Sequence, residues 1–85
     1  MYYVYVLQSL SYNNHYIGST ENIEKRLDEH NTGKCRYTSG RMPWQLVYKE
    51  EYNSRGEAMK REKFLKSGQG RKLLKEKLIV STVER

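Results

Sequence analysis

The chain has one cysteine, Cys35, so it can close no intramolecular disulfide and build no cysteine-based zinc cluster. It has no apolar run near the ~20 residues that a membrane helix needs. It shows no internal repeat, low-complexity stretch or linker, so residues 1–85 are expected to form one domain. It also lacks a zinc-finger or helix-turn-helix pattern, which leaves nothing beyond the domain itself to read a base sequence. The opening segment, Met1 to Leu7, is too short and too uncharged for a signal peptide and reads as a strand, so the expected compartment is the cytosol.

Acidic residues are outnumbered. Sixteen Lys and Arg face ten Asp and Glu, and the net charge is +6. In so small a chain this balance favours a polyanionic partner. Eight tyrosines with Trp44 and Phe64 supply aromatic mass for a thin core.

Residues Tyr2 to Ser9 are β-branched and aromatic, as strands prefer. Ser11-Tyr12-Asn13-Asn14 carries turn chemistry, and His15 to Ser19 returns as the second strand of a hairpin. Ser19-Thr20 offers a helix N-cap, with Glu21 and Glu24 where the helix dipole favours anions. Ile23 and Leu27 form the apolar stripe of that helix, Arg26 and His30 flank it, and Gly33 ends it. A polar loop from Lys34 to Pro43 leads to a third strand, Trp44 to Tyr52. Ser54-Arg55-Gly56-Glu57 reads as a capping box. The helix it opens runs to about Ser67, with Ala58, Met59 and Leu65 as its apolar face. Ser67 to Gly70 breaks it, and a last basic helix spans about Arg71 to Leu78. The order ββα-β-αα predicts a small α/β (α+β) domain on a three-stranded antiparallel sheet.

Four residues stand out along this frame. Tyr5, Tyr16, Arg26 and His30 follow one another at steps of eleven, ten and four. The first two lie in strand-type sequence and the last two in helix-type sequence. Glu62 is a fifth, because it falls between the apolar positions of its helix. An inward carboxylate needs an ion pair, hydrogen bonds or a metal.

Phosphodiester hydrolysis needs a base for water, charge neutralisation on the phosphate and stabilisation of the leaving oxygen. Tyr5 or Tyr16 could be the base if a nearby cation lowered its pKa. Arg26 offers a planar fork to phosphate, and His30 a proton relay or donor. Glu62 could hold one Mg²⁺ or Mn²⁺. Residues 60–77 hold half of all Lys and Arg, among them Lys63, Lys66, Arg71, Lys72 and Lys75. Such side chains grip phosphates without sequence choice. Gly68 and Gly70 could add backbone N–H groups. The loop with Lys34, Arg36, Tyr37 and Arg41 could grip the other side of a strand.

The chain resembles the GIY-YIG endonuclease superfamily, and within it the small stand-alone bacterial proteins related to the nuclease domain of a repair excinuclease. Tyr3-Val4-Tyr5 stands for the first triplet, with Tyr3 in place of its Gly, and Tyr16-Ile17-Gly18 is an unmodified second triplet. Lys25 to His30 matches the helix with the arginine and histidine. Glu57 to Lys63 matches the helix with the metal-binding glutamate. The resemblance implies a metal-dependent DNA endonuclease, structure-directed or weakly specific, in repair or recombination. It implies Tyr5 as the favoured base, Tyr16 near the nucleophile or phosphate, Arg26 on the transition state, His30 assisting, and one divalent ion on Glu62. Gly18 would leave room for backbone to approach the substrate. The family's late Asn has no counterpart, because the last Asn is Asn53. DNA, with RNA as an alternative, is the expected partner, and a homodimer or a specificity-giving protein is a further one. The rival functions are a nucleic-acid-binding module without cleavage and an interaction domain whose basic surface docks on an acidic protein.

Overall fold

The computed structural model describes residues 1–11, 14–34 and 39–83. Strand β1 (Tyr2–Ser9) lies at the centre of a three-stranded antiparallel sheet, flanked by β2 (His15–Thr20) and β3 (Trp44–Tyr52). Helix α1 (Ile23–Asn31) follows β2, and α2 (Arg55–Leu65) and α3 (Gly68–Val83) follow β3. A short 3₁₀ turn at Ser39–Arg41 precedes β3. The expected α+β architecture is present.

Alternation along β1 decides which side of the sheet each side chain serves. Val4 and Val6 point to one face, where they bury Ala58 and Leu65 of α2 and Leu74 of α3. Tyr5 and Leu7 point to the other, packing with Trp44, Tyr16 and the α1 residues Ile23 and Leu27. The sheet therefore separates α1 from the α2–α3 pair. The register sets Tyr5 opposite Gly18 on β2 and opposite Lys49 on β3.

The helix boundaries differ from the sequence expectation at several points. Ser19 and Thr20 belong to β2, and Asn22 caps α1, its side chain accepting from the Lys25 N–H at 3.0 Å. Thr20 instead accepts the Asn22 N–H. Gly33 ends α1 as expected. It takes φ 82°, and the Lys34 N–H reaches back to the Glu29 carbonyl at 3.1 Å. Ser54 caps α2 as the capping box predicts. Met59 is 53% exposed rather than part of the apolar face, which is made by Ala58 and Leu65.

The break expected at Ser67–Gly70 is a sharp junction, and α3 starts at Gly68, not Arg71. The Ser67 hydroxyl accepts the Gly70 N–H at 3.2 Å and its carbonyl accepts the Arg71 N–H. Gly70 is buried, and a Cβ there would overlap the Phe64 carbonyl and the Leu65 backbone. Its role is close helix packing, and its N–H is already used within the chain.

A polar knot fixes α2 to β3. The Glu50 carboxylate accepts from Arg61 Nε at 2.8 Å, from Arg61 Nη2 at 3.1 Å, from the Tyr52 hydroxyl at 2.6 Å and from the Tyr48 hydroxyl. Burial alone would raise its pKa, but these donors hold it at about 2. Burial and the bond to Glu50 push Tyr52 up to about 12.

Candidate active site

Tyr5 is 1% exposed and its hydroxyl lies 3.1 Å from His30 Nε2. His30 projects from the last turn of α1 and is fully buried. Desolvation lowers its pKa, and the Arg26 charge lowers it further against the opposing pull of Glu29. The neutral ring is therefore favoured, and in the tautomer with its proton on Nδ1 the Nε2 atom accepts from the Tyr5 hydroxyl. Tyr16 is less buried than Tyr5. Its ring centroid stands 4.7 Å from that of His30 and 6.2 Å from that of Tyr5. The three rings form one cluster on the α1 face.

Gly18 explains how this cluster fits. An ideal Cβ at Gly18 would stand 2.6 Å from Tyr5 Oη, 2.8 Å from Tyr5 Cζ and 3.1 Å from Tyr16 Cε2. The space that Gly18 frees is filled by these tyrosines, not left open to incoming backbone.

Arg26 lies one turn before His30 on α1 and is partly exposed. Its Nη1 pairs with Glu29 at 3.0 Å. A partly exposed pair of this kind is weak. Asn31, next to His30, holds the helix on the sheet. Its amide accepts the Trp44 N–H at 2.6 Å and donates to the Trp44 carbonyl at 3.0 Å. Neither Asn31 nor Glu29 carries a sequence signal for these roles.

Glu62 lies on the other side of the sheet. It sits on α2 and accepts from the Ser19 hydroxyl at 2.7 Å and from Lys66 Nζ at 2.8 Å. Both the inward lean and the ion pair expected from the helix phase are present, with its side chain 23% exposed. Ser19 is the register partner of Val4, so it and Glu62 meet on the α2 face of the sheet, while the neighbouring Gly18 faces the Tyr5 ring on the other. Local sequence makes Ser19 a cap residue. Its outward alternation from Gly18 on β2 is the signal that pairs it with α2.

Among the described residues, no three His, Cys, Asp or Glu side chains gather as a metal site. Glu62 is the carboxylate suited to a cation here, and the Lys66 ammonium already stands on it. One carboxylate completed by waters and phosphate suits Mg²⁺, which needs no all-protein cage.

Of the cationic residues, Lys63, Arg71, Lys72 and Lys75 are exposed on the outer faces of α2 and α3, and Lys66 is half-exposed beside Glu62. Lys34 is exposed at the end of α1, and Arg41 is partly buried. Arg36 and Tyr37 lie outside the described residues. No helix among the described residues is long and apolar enough to cross a membrane.

Comparison with known proteins identifies the family. The family model for the GIY-YIG catalytic domain matches residues 1–75. A UPF0213 protein of Streptococcus agalactiae serotype V is 45% identical over 65 residues, covering 75% of this chain and 73% of that protein. A UPF0213 protein of Natronomonas pharaonis is 45% identical over 67 residues, covering 78% of each. The solution NMR structure of a UPF0213 protein from Bacillus halodurans superposes with a TM-score of 0.53 at 34% identity, covering 89% of this chain and 84% of that one. The two tyrosine triplets, the Arg26–His30 helix and the Glu62 helix all fall within the matched span, and the chain belongs to the GIY-YIG family.

Proposed function

We propose that this protein is a divalent-metal-dependent endonuclease that hydrolyses DNA phosphodiester bonds, structure-directed or weakly specific, working in the cytoplasm in repair or recombination. The observation that carries this reading is the buried bond between the Tyr5 hydroxyl and the neutral His30 ring at 3.1 Å. A phenol is a poor base unless its proton has somewhere to go. Here it passes to His30 Nε2 as Tyr5 takes a proton from the attacking water. The Arg26 charge, which disfavours imidazolium, makes His30 a transient acceptor that gives the proton back through the Tyr5 hydroxyl to a water at the site once the product leaves.

Arg26 exchanges Glu29 for the phosphate and neutralises charge that grows on its oxygens in the transition state. Tyr16, less buried than Tyr5, lies beside that phosphate. The P–O3′ bond breaks as the water oxygen bonds to phosphorus, and the leaving oxygen is protonated by solvent. Glu62 would hold the single Mg²⁺ or Mn²⁺, with Ser19 orienting the carboxylate and Lys66 released toward the substrate. A bound ion supplies charge neutralisation at the phosphate.

The test is cleavage of end-labelled single-stranded, duplex and branched DNA at low salt with Mg²⁺, Mn²⁺ or EDTA. Cuts that need metal and vanish in both Glu62→Ala and Tyr5→Phe, with DNA binding retained, are expected. Salt-sensitive binding with no cuts under any metal would overturn the nuclease reading. Near-normal turnover in Tyr5→Phe would remove Tyr5 as the base.

A further inference from the structure

The catalytic cluster and the main cationic surface lie on opposite sides of the sheet. Tyr5, Tyr16 and His30 face α1, whereas α2 and α3 cover the face made by Val4 and Val6. On α3, Gly70 and Leu74 are buried and Leu73 is half-buried. At 100° per residue, Arg71, Lys72 and Lys75 then form one stripe on the opposite, solvent side. On α2, the burial of Ala58 and Leu65 sends Lys60 and Lys63 outward in the same way. None of these five cations is drawn into an ion pair among the described residues, whereas Arg26, Arg61 and Lys66 are. Helix α2 packs on the sheet and α3 packs on α2. Arg26 and Tyr16 thus belong to the α1 side of the sheet, and Arg71, Lys72 and Lys75 to a helix packed on the other side.

We propose that the outer face of α2 and α3 binds a second duplex segment of DNA while the first lies at the catalytic face. The protein would then clamp between two helical arms of one branched molecule, or between two duplexes. This deepens the nuclease reading and rests on it for the first segment. The second segment is DNA rather than an acidic protein because the cations have no ion-pair partner among the described residues and are spread along two helices. That pattern contacts a phosphate backbone in a sequence-independent way.

The experiment counts duplexes. The full chain is saturated with a short, blunt duplex of about 10 base pairs in EDTA at low salt. Native mass spectrometry then reads how many protein and DNA molecules each complex holds. One protein with two duplexes is expected. In the triple variant Arg71→Gln, Lys72→Gln and Lys75→Gln, the count should fall to one duplex under the same conditions. Lys60→Gln with Lys63→Gln should weaken the second duplex in the same direction. The replaced side chains are exposed and Gln suits a helix, so circular dichroism should be unchanged. One duplex at saturation in the unaltered protein would overturn the proposal. So would two duplexes persisting in the triple variant, or a two-duplex complex always holding two protein chains. A polyglutamate peptide that binds this face where no second duplex does would assign it to an acidic protein instead. Because no metal is present, the counts stand apart from whether the protein cuts.

Discussion

Gly18→Ala is the sharpest probe of the site. The new methyl would meet Tyr5 Cζ at 2.8 Å and Tyr5 Oη at 2.6 Å, against an ordinary carbon contact of about 3.5–4.0 Å. One side must retreat by roughly 1 Å. Tyr5 is buried, and Tyr16 also crowds the site at 3.1 Å, so the ring cannot simply swing into solvent. A retreat of that size carries the Tyr5 hydroxyl away from its 3.1 Å bond with His30 and past hydrogen-bond range. Overpacking costs about 1–3 kcal/mol and the lost bond about 1 kcal/mol more. The expected destabilisation is therefore about 2–4 kcal/mol, or a fall in Tm of about 10–20 °C for a domain of this size. Thermal unfolding by circular dichroism measures the first effect, and metal-dependent cleavage well below Tm measures the second. Cleavage should be lost even where the variant is folded. A Tm within about 2 °C of the unaltered protein, with cleavage intact, would refute the packing of the two tyrosines against Gly18.

Two other glycines should behave oppositely. Gly70→Ala collides with the Phe64 and Leu65 backbone and should lower Tm by at least as much as Gly18→Ala. Gly56→Ala, inside α2 with nothing within 4 Å of the new methyl, should raise stability by about 0.5–1 kcal/mol in urea titration. Glu50 sets an acid limit. Its folded pKa of about 2 lies below the ordinary 4.5, so its contribution is complete above about pH 4.5 and is lost as pH falls toward 2. At about 1.4 kcal/mol per pKa unit this amounts to about 3 kcal/mol. The stability gap between the protein and Glu50→Gln should close over that window, and a gap independent of pH would refute the assignment. Lys66→Met removes a competing cation from Glu62. An exposed i,i+4 pair is worth about 0.3–0.5 kcal/mol, so Mn²⁺ affinity by calorimetry should rise about twofold.

Local chemistry in the sequence determined most of the frame. β-branched and aromatic runs fixed the three strands, Ser54 and Glu57 fixed the start of α2, and Gly33 ended α1, because caps and alternation act over only a few residues. The order of Tyr5, Tyr16, Arg26, His30 and Glu62 was legible for the same reason, together with the lean of Glu62 off the solvent side. Contacts between elements were not. That Ser19 serves Glu62 rather than capping α1, and that Asn31 grips Trp44, depends on strand register and helix placement set by packing far along the chain. The same holds for Gly18 and Gly70. Sequence shows a residue without a side chain, but only the tertiary structure shows what occupies the space, and here it is Tyr5 with Tyr16 in one case and the end of α2 in the other. The separation of the Tyr5, Tyr16 and His30 rings from the α3 cations also arises in three dimensions. Burial of Val4 and Val6 on one face and Tyr5 and Leu7 on the other forces the helices that follow β3 to the side opposite α1.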